Sequence, residues 1–69
     1  MGQRTFTVLV EWEDGDVRDA DEFTVAAKSA AEAKRIASEM WAATICKEYP
    51  NCRAEKILIL TKRMMRSFA

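Results

Sequence analysis

The chain has no histidine and only two glycines among its 69 residues. Without histidine there is no general base for a Ser-His-Asp triad, and two glycines are too few for a Gly-rich phosphate-binding loop. The G-x-S-x-G and H-E-x-x-H patterns are also absent from the sequence. These absences exclude the usual motifs of hydrolases, phosphotransferases and zinc proteases. We therefore expect a protein that is not an enzyme and that carries no cofactor.

Cysteine is scarce as well, since Cys46 and Cys52 are the two thiols of the chain. Two cysteines without histidine are too few soft ligands for a closed zinc site, so no metal site is expected. In a reducing compartment the thiols stay free, with Cys46 buried near the end of a helix. They bridge the turn at Pro50 if their Cβ atoms come within about 4 Å of each other. The sequence leaves both states open.

Long hydrophobic runs are missing too. The N-terminal stretch MGQRTFTVLV has a short apolar run but lacks the length and cleavage pattern of a signal peptide. No apolar run reaches the roughly 20 residues that cross a bilayer as a helix. We therefore expect a cytoplasmic protein that does not contact a membrane.

The net charge is zero because eleven basic residues balance eleven acidic ones, but the charges are unevenly distributed. Residues 11–22, EWEDGDVRDADE, carry seven carboxylates and one arginine, whereas residues 53–69 carry five basic residues and the single acid Glu55. A neutral chain attracts a polyanion only weakly at long range, so direct nucleic-acid binding is not expected. As a weaker alternative, the basic C-terminal end would contact phosphates through Lys62, Arg63 and Arg66.

Two strands joined by a tight turn are predicted at the start of the chain. Residues 4–12, RTFTVLVEW, alternate between the two faces of a half-buried β-strand and are rich in strong β formers. Asp14 and Gly15 follow, and this dipeptide commonly closes a hairpin. The first two elements are therefore predicted to pair as antiparallel neighbours.

The returning strand has a conflict in its pattern. Asp19 and Asp21 alternate with the same spacing of two as Phe23 and Val25, so in an unbroken strand all four side chains would lie on the same face. That face is the buried one, so two aspartates would be buried. A bulge, or a loop that delays the strand to about residues 21–26, would remove the conflict. On this interpretation the acidic stretch lies mainly at the hairpin tip.

The segment KSAAEAKRIASEMWAATICKEYPN predicts a helix. Ser29 and Glu32 have the spacing of a capping box, in which each side chain satisfies the other's backbone N–H. The alanine-rich interior favours a helix, and Pro50 ends it. Trp41 and Ile45 fall at the margin of the apolar face, and Trp41 is a secondary candidate for contact with a partner. The predicted apolar face consists of Ala33, Ile36, Ala37, Met40, Ala43 and Thr44.

The segment RAEKILILTKR predicts a third strand with apolar residues on both faces. The fold is thus expected to be α+β, a single domain over residues 1–69 in ββαβ order. A right-handed crossover gives a three-stranded antiparallel sheet of order 2-1-3, with one helix packed on one face. The face of the sheet away from the helix is left open and includes Thr5 and Thr7. This open face is a candidate partner surface or homodimer interface. The candidate dimer residues are Leu9, Leu58 and Leu60.

The acidic stretch is the main candidate site. A solvated hairpin tip that protects a sheet edge is one interpretation. A calcium loop is disfavoured because the required D-x-D-x-D-G spacing is absent. Clustered carboxylates could also imitate phosphates for a protein partner whose own surface is basic. The candidate partner-binding carboxylates are Glu11, Glu13, Asp14, Asp16, Asp19, Asp21 and Glu22.

The hairpin RTFTVLVEWEDGD with DEFTVAA, followed directly by KSAAEAKRIASEM, resembles the small strand-strand-helix-strand proteins of phages and mobile elements. Several of these are anti-CRISPR inhibitors of type I systems. The resemblance implies a non-enzymatic protein in the host cytoplasm that binds a CRISPR effector complex. Such a protein would prevent recognition of target DNA or recruitment of the nuclease. No residue role is carried over, because the candidate carboxylates come from the electrostatic argument alone.

Overall fold

A computed structural model of the protein describes residues 3–60. Three strands form one antiparallel sheet in which the first strand lies between the second and the third, and one helix packs against the sheet. This confirms the predicted α+β fold and its ββαβ order. The basic residues Lys62, Arg63 and Arg66 of the nucleic-acid alternative lie outside the described residues. The elements are β1 (Arg4–Asp14), β2 (Val17–Ala27), α1 (Ala30–Glu48) and β3 (Arg53–Leu60).

Strand β1 lies at the centre of the sheet and supplies the middle of the core. Its even-numbered positions face α1, and Val8 and Val10 are fully buried while Trp12 is 2% exposed. On β3, Ile59 lies opposite Val8 and Ile57 opposite Val10. The alternation seen in the sequence therefore places the apolar side of β1 under the helix.

Strand β2 is longer than predicted, because it begins at Val17 and pairs with β1 without a break in register. Gly15 has φ +60°, and no residue besides glycine has a positive φ in the described part of the chain. Glycine at the first central position of a two-residue loop matches a type II′ turn, whose twist suits a hairpin. The predicted bulge or late start of this strand was wrong.

The two aspartates are accommodated in the unbroken strand in different ways. Asp19 lies opposite Trp12 and is exposed to solvent. Asp21 lies opposite Val10, is only half-buried, and accepts a hydrogen bond from the indole Nε1 of Trp12. Neither carboxylate is buried without a partner, so the strand needs no bulge here. The irregularity lies instead between β1 and β3, where the register shifts between Glu11 and Trp12. Glu55 is the additional residue of β3 at this point and has no partner in β1.

Helix α1 begins at the predicted cap. The Ser29 side chain accepts a hydrogen bond from the Glu32 N–H at 3.2 Å. The Glu32 carboxylate turns back to the N–H of Lys28 at 2.9 Å, one residue earlier than in a standard capping box. The helix ends at Glu48, where the Tyr49 N–H donates to the Ile45 carbonyl just before the proline.

The buried face of α1 differs from the predicted one. Ala33, Ala37 and Trp41 are buried, and Ile36 and Ile45 pack partly against them. The two alanines allow the helix to approach the sheet closely, and the large indole of Trp41 fills the space beyond them. The helix is therefore rotated about its axis, relative to the prediction, so that Trp41 faces the sheet. The exposed residues that the prediction had placed in the core are Met40, Ala43 and Thr44.

No helix within residues 3–60 is both long enough and apolar enough to cross a membrane.

Candidate functional site

The seven carboxylates of residues 11–22 lie at one end of the hairpin but on two different faces. Residues directly opposite each other in β1 and β2 share a face, so the register assigns each acid to a side of the sheet. Asp14, Asp19 and Asp21 lie on the side covered by the helix, and Asp16 lies in the turn. The open side carries Glu11, Glu13 and Glu22.

The open-side acids are balanced by basic neighbours. Glu13 accepts a hydrogen bond from Arg53 at 3.0 Å and lies 3.7 Å from Arg18. Glu11 lies directly opposite Lys56 on β3. Three acids and three bases therefore share this part of the sheet, and exposed pairs of this kind contribute about 0–1 kcal/mol each. This side presents no net negative charge to a partner.

The remaining four carboxylates, Asp14, Asp16, Asp19 and Asp21, form what we call the aspartate cluster. Within residues 3–60, no lysine or arginine nitrogen lies within 4.0 Å of any of them. Asp16 and Asp19 are exposed, whereas Asp14 and Asp21 are half-buried. The cluster is therefore a concentration of negative charge that the described chain does not neutralise by direct ion pairs.

An aromatic pair supports the cluster from beneath. The Trp12 indole donates to Asp21 Oδ2 at 2.7 Å, and its ring lies 5.0 Å from the Tyr49 ring, tilted by 46°. A hydrogen bond to a charged carboxylate is stronger than one between neutral groups, so the orientation of Asp21 is well defined. Tyr49 was missed by sequence reasoning. Its place in the turn after α1 brings it over Trp12, a contact that no local spacing reveals.

Trp41, the secondary partner candidate, lies in the core. It is 8% exposed, and its Nε1 has no hydrogen-bond partner among the described residues. Its ring packs with Ala33 and Ala37 under the sheet, so it has little surface to offer a partner. Trp41 therefore lies in the core rather than at the margin of the apolar face, and its contact with a partner stays a prediction.

The candidate dimer residues lie together on the open side of the sheet. Leu9 and Leu58 are opposite each other and half-buried, while Leu60 lies opposite Thr7. Leu60 is only 6% exposed, so it adds little accessible surface. Leu9 and Leu58 are left as the apolar surface of this group.

Within the described residues there is neither a pocket nor a group of three or more Cys, Asp or Glu side chains placed to hold a metal ion. The aspartates of the cluster are spread along two strands and a turn. They present a surface rather than a cavity, and a surface of this kind suits a macromolecular partner better than a small ligand.

No protein family, curated protein or solved structure matches this chain in sequence or fold. The charge and geometry of the surface are therefore the structural observations that bear on function.

Proposed function

We propose that this protein is a non-enzymatic binding protein that docks its aspartate cluster on a lysine- and arginine-rich surface of a protein partner. The observation that supports this most directly is the contrast between the two faces. Acids on the open side are balanced by Arg18, Arg53 and Lys56, whereas within residues 3–60 no lysine or arginine nitrogen lies within 4.0 Å of a carboxylate oxygen of the four aspartates.

Rigidity is the second support. Asp14, Asp19 and Asp21 are held by paired backbone on both sides of a tight turn, and Asp21 is also fixed by Trp12. Asp19 and Asp21 point to the same side about 7 Å apart, two residues along one strand. Carboxylates ordered before binding lose little conformational entropy when a partner arrives. Their shared charge also speeds the encounter with a basic surface and makes it sensitive to salt.

A basic surface that accepts a row of regularly spaced anions is typical of proteins that handle nucleic acids. The resemblance to phage-type proteins points to one such partner, the effector complex of a type I CRISPR system. Acting as an anti-CRISPR inhibitor in the host cytoplasm, the protein would occupy the site that receives target DNA or the recruited nuclease. Blocking by occupancy needs affinity and placement but no chemical step.

The test compares two variants with the same change in net charge. The site variant carries Asp14→Asn, Asp16→Asn and Asp19→Asn, and it keeps Asp21 because that carboxylate bonds to Trp12. Asparagine preserves the acceptor that Asp19 offers to the Ala20 N–H.

The matched control variant neutralises three exposed acids elsewhere, through Glu39→Gln, Glu48→Gln and Glu55→Gln. Wild type and both variants are used to capture proteins from a bacterial lysate, and their binding to a purified type I surveillance complex is measured at two salt concentrations. Circular dichroism checks that all three proteins are folded.

We expect the site variant to lose at least tenfold in affinity while the control keeps wild-type binding. We also expect wild-type binding to weaken as the salt concentration rises. Equal binding by the two variants would exclude the aspartate cluster as the contact surface. Retention of a basic protein other than the surveillance complex would keep the binding mode and discard the CRISPR partner.

The second candidate function is a homodimer with a structural or regulatory role, joined through the open side. The direct opposition of Leu9 and Leu58 supports it, since complete burial of such a side chain contributes about 1.5–3 kcal/mol. Analytical ultracentrifugation of wild type and Leu58→Glu would decide. A wild-type dimer that the substitution converts to a monomer would favour this function, and a wild-type monomer at all concentrations would exclude it.

A further inference from the structure

The two cysteines meet where the chain leaves α1 and enters β3. Cys46 lies in the last turns of the helix, and Cys52 immediately precedes the strand. Their Sγ atoms are 2.7 Å apart. The intervening turn is held by the backbone, because the N–H of Tyr49 donates to Ile45 O at 3.0 Å and that of Cys52 to Tyr49 O at 2.9 Å. The hydrogen-bonded turn and the packing of both cysteines with the core bring the two sulfurs together.

The two thiols differ in their surroundings. Cys46 is half-buried, whereas Cys52 is buried in the core and 9% exposed. Burial raises the pKa of Cys52 to about 11, and the neighbouring Cys46 thiol and Asp14 carboxylate add to the effect. Cys52 is therefore protonated at neutral pH, and Cys46 is the thiol that an external reagent reaches first.

We propose that Cys46 and Cys52 form a reversible intramolecular disulfide by exchange with a small-molecule disulfide of the glutathione class. This redox site does not depend on the proposed binding function. Both cysteines are free thiols in the structure. The disulfide would close the turn that carries Tyr49 and Pro50.

The exchange takes two steps. The Cys46 thiolate attacks one sulfur of oxidised glutathione, forming a mixed disulfide and releasing one glutathione thiolate, which takes up a proton. The Cys52 thiol then gives its proton to water, and its sulfur attacks Cys46 Sγ, which breaks the mixed disulfide and releases the second glutathione as a thiolate that takes up a proton from water. The protein gives up two electrons and two protons, and one glutathione disulfide becomes two glutathione thiols.

The geometry favours the second step, closure of the intramolecular disulfide, over attachment of a second glutathione to Cys52. A disulfide bond is about 2.05 Å long, so the two sulfurs need to approach by less than one ångström. The hydrogen-bonded turn already fixes the backbone on both sides, so closing the ring costs little additional ordering. The closed loop would include Tyr49, whose ring centre lies 5.0 Å from that of Trp12. Oxidation would therefore stiffen the packing beneath the aspartate cluster.

The experiment uses the full chain in buffers of defined reduced-to-oxidised glutathione ratio. Samples are quenched with acid, unfolded, alkylated with N-ethylmaleimide and weighed by mass spectrometry. Cys46→Ser and Cys52→Ser serve as matched single-thiol variants. We expect wild type to lose the mass of two hydrogens and to escape alkylation, while each variant carries at most one glutathione.

The melting temperature is the second readout. We expect oxidised wild type to melt roughly 5–10 °C above reduced wild type, because a short loop is closed in the unfolded chain, and we expect no gain for Cys46→Ser. The proposal is overturned if wild type gathers two glutathiones, or keeps two free thiols at ratios where the variants already carry one. Disulfide-linked dimers, or a melting point lowered by oxidation, would also overturn it.

Discussion

The indole of Trp12 donates a hydrogen bond to the carboxylate of Asp21, across the hairpin and 2.7 Å away. Trp12 is 2% exposed, so its N–H has little access to water if the carboxylate is removed. The contact therefore serves two purposes. It satisfies a buried donor in the core, and it orients one member of the aspartate cluster at the surface.

The first prediction concerns this hydrogen bond. Asp21→Ala leaves the buried Trp12 donor unsatisfied, so we expect a loss of about 1–3 kcal/mol in the free energy of unfolding. Asp21→Asn keeps an oxygen acceptor and should lose less. Asp19→Ala, on the same strand face but exposed, is the control and should change stability by less than about 0.5 kcal/mol. Urea unfolding measures all three, and equal losses for Asp19 and Asp21 would contradict the assignment.

The second prediction compares the two buried tryptophans. Trp12→Phe removes a donor with a partner and leaves Asp21 half-buried without its hydrogen bond. Trp41→Phe removes an indole N–H that has no partner among residues 3–60. We expect Trp12→Phe to lower the free energy of unfolding by about 1–3 kcal/mol and Trp41→Phe to lower it by less. Removing a buried N–H that has no partner is favourable, and this gain offsets part of the packing that Trp41→Phe loses. Thermal and urea unfolding of the two variants would reveal the order, and the reverse order would refute it.

The third prediction follows from the raised pKa of Cys52, which burial sets at about 11 against an ordinary value of 9.0. Between these two pH values the unfolded chain has released the thiol proton while the folded chain still holds it. The unfolded state then binds fewer protons, so stability falls as pH rises from about 9 toward about 11. The fall should be shallower in Cys52→Ala than in reduced wild type, as measured by urea unfolding in a non-thiol reductant. Identical pH profiles would show that Cys52 makes no such contribution.

The fourth prediction tests the start of α1 by comparing two variants, each with one serine of the helix region changed to alanine. Ser29→Ala removes the side chain that accepts the Glu32 N–H, so we expect a cost of about 1 kcal/mol. Ser38→Ala lies inside the same helix, where alanine is the better helix former, and should be neutral or slightly stabilising. Chemical denaturation monitored by helical circular dichroism distinguishes the two. A cost shared equally by both variants would argue against a specific cap.

Much of the fold could be predicted because its signals are local. Alternation defined β1, the Asp14-Gly15 pair marked the turn, and the spacing of Ser29 and Glu32 located the helix start. These features depend on neighbours within a few residues, where backbone preferences and periodicity are strong. The order of the strands followed from handedness once the elements were known.

The errors arose where distant residues meet. The start of β2 was placed too late because an aspartate facing inward was treated as a cost, and its hydrogen bond with Trp12 depends on cross-strand register. The orientation of α1 was misjudged because the space available to Trp41 is set by the sheet. The division of the acids between two faces followed only from the unbroken hairpin register, which separates Glu13 from the aspartate cluster.

The strand order also has a consequence for how the chain assembles during synthesis. The central strand β1 leaves the ribosome first, and β2 can pair with it at once through a two-residue turn. Its other neighbour, β3, comes from residues 53–60, and the contact between Glu13 and Arg53 joins positions 40 residues apart. Until those residues have been synthesised, one edge of the central strand lacks its partner. The sheet is therefore completed only after the hairpin and the helix have formed or at least been synthesised.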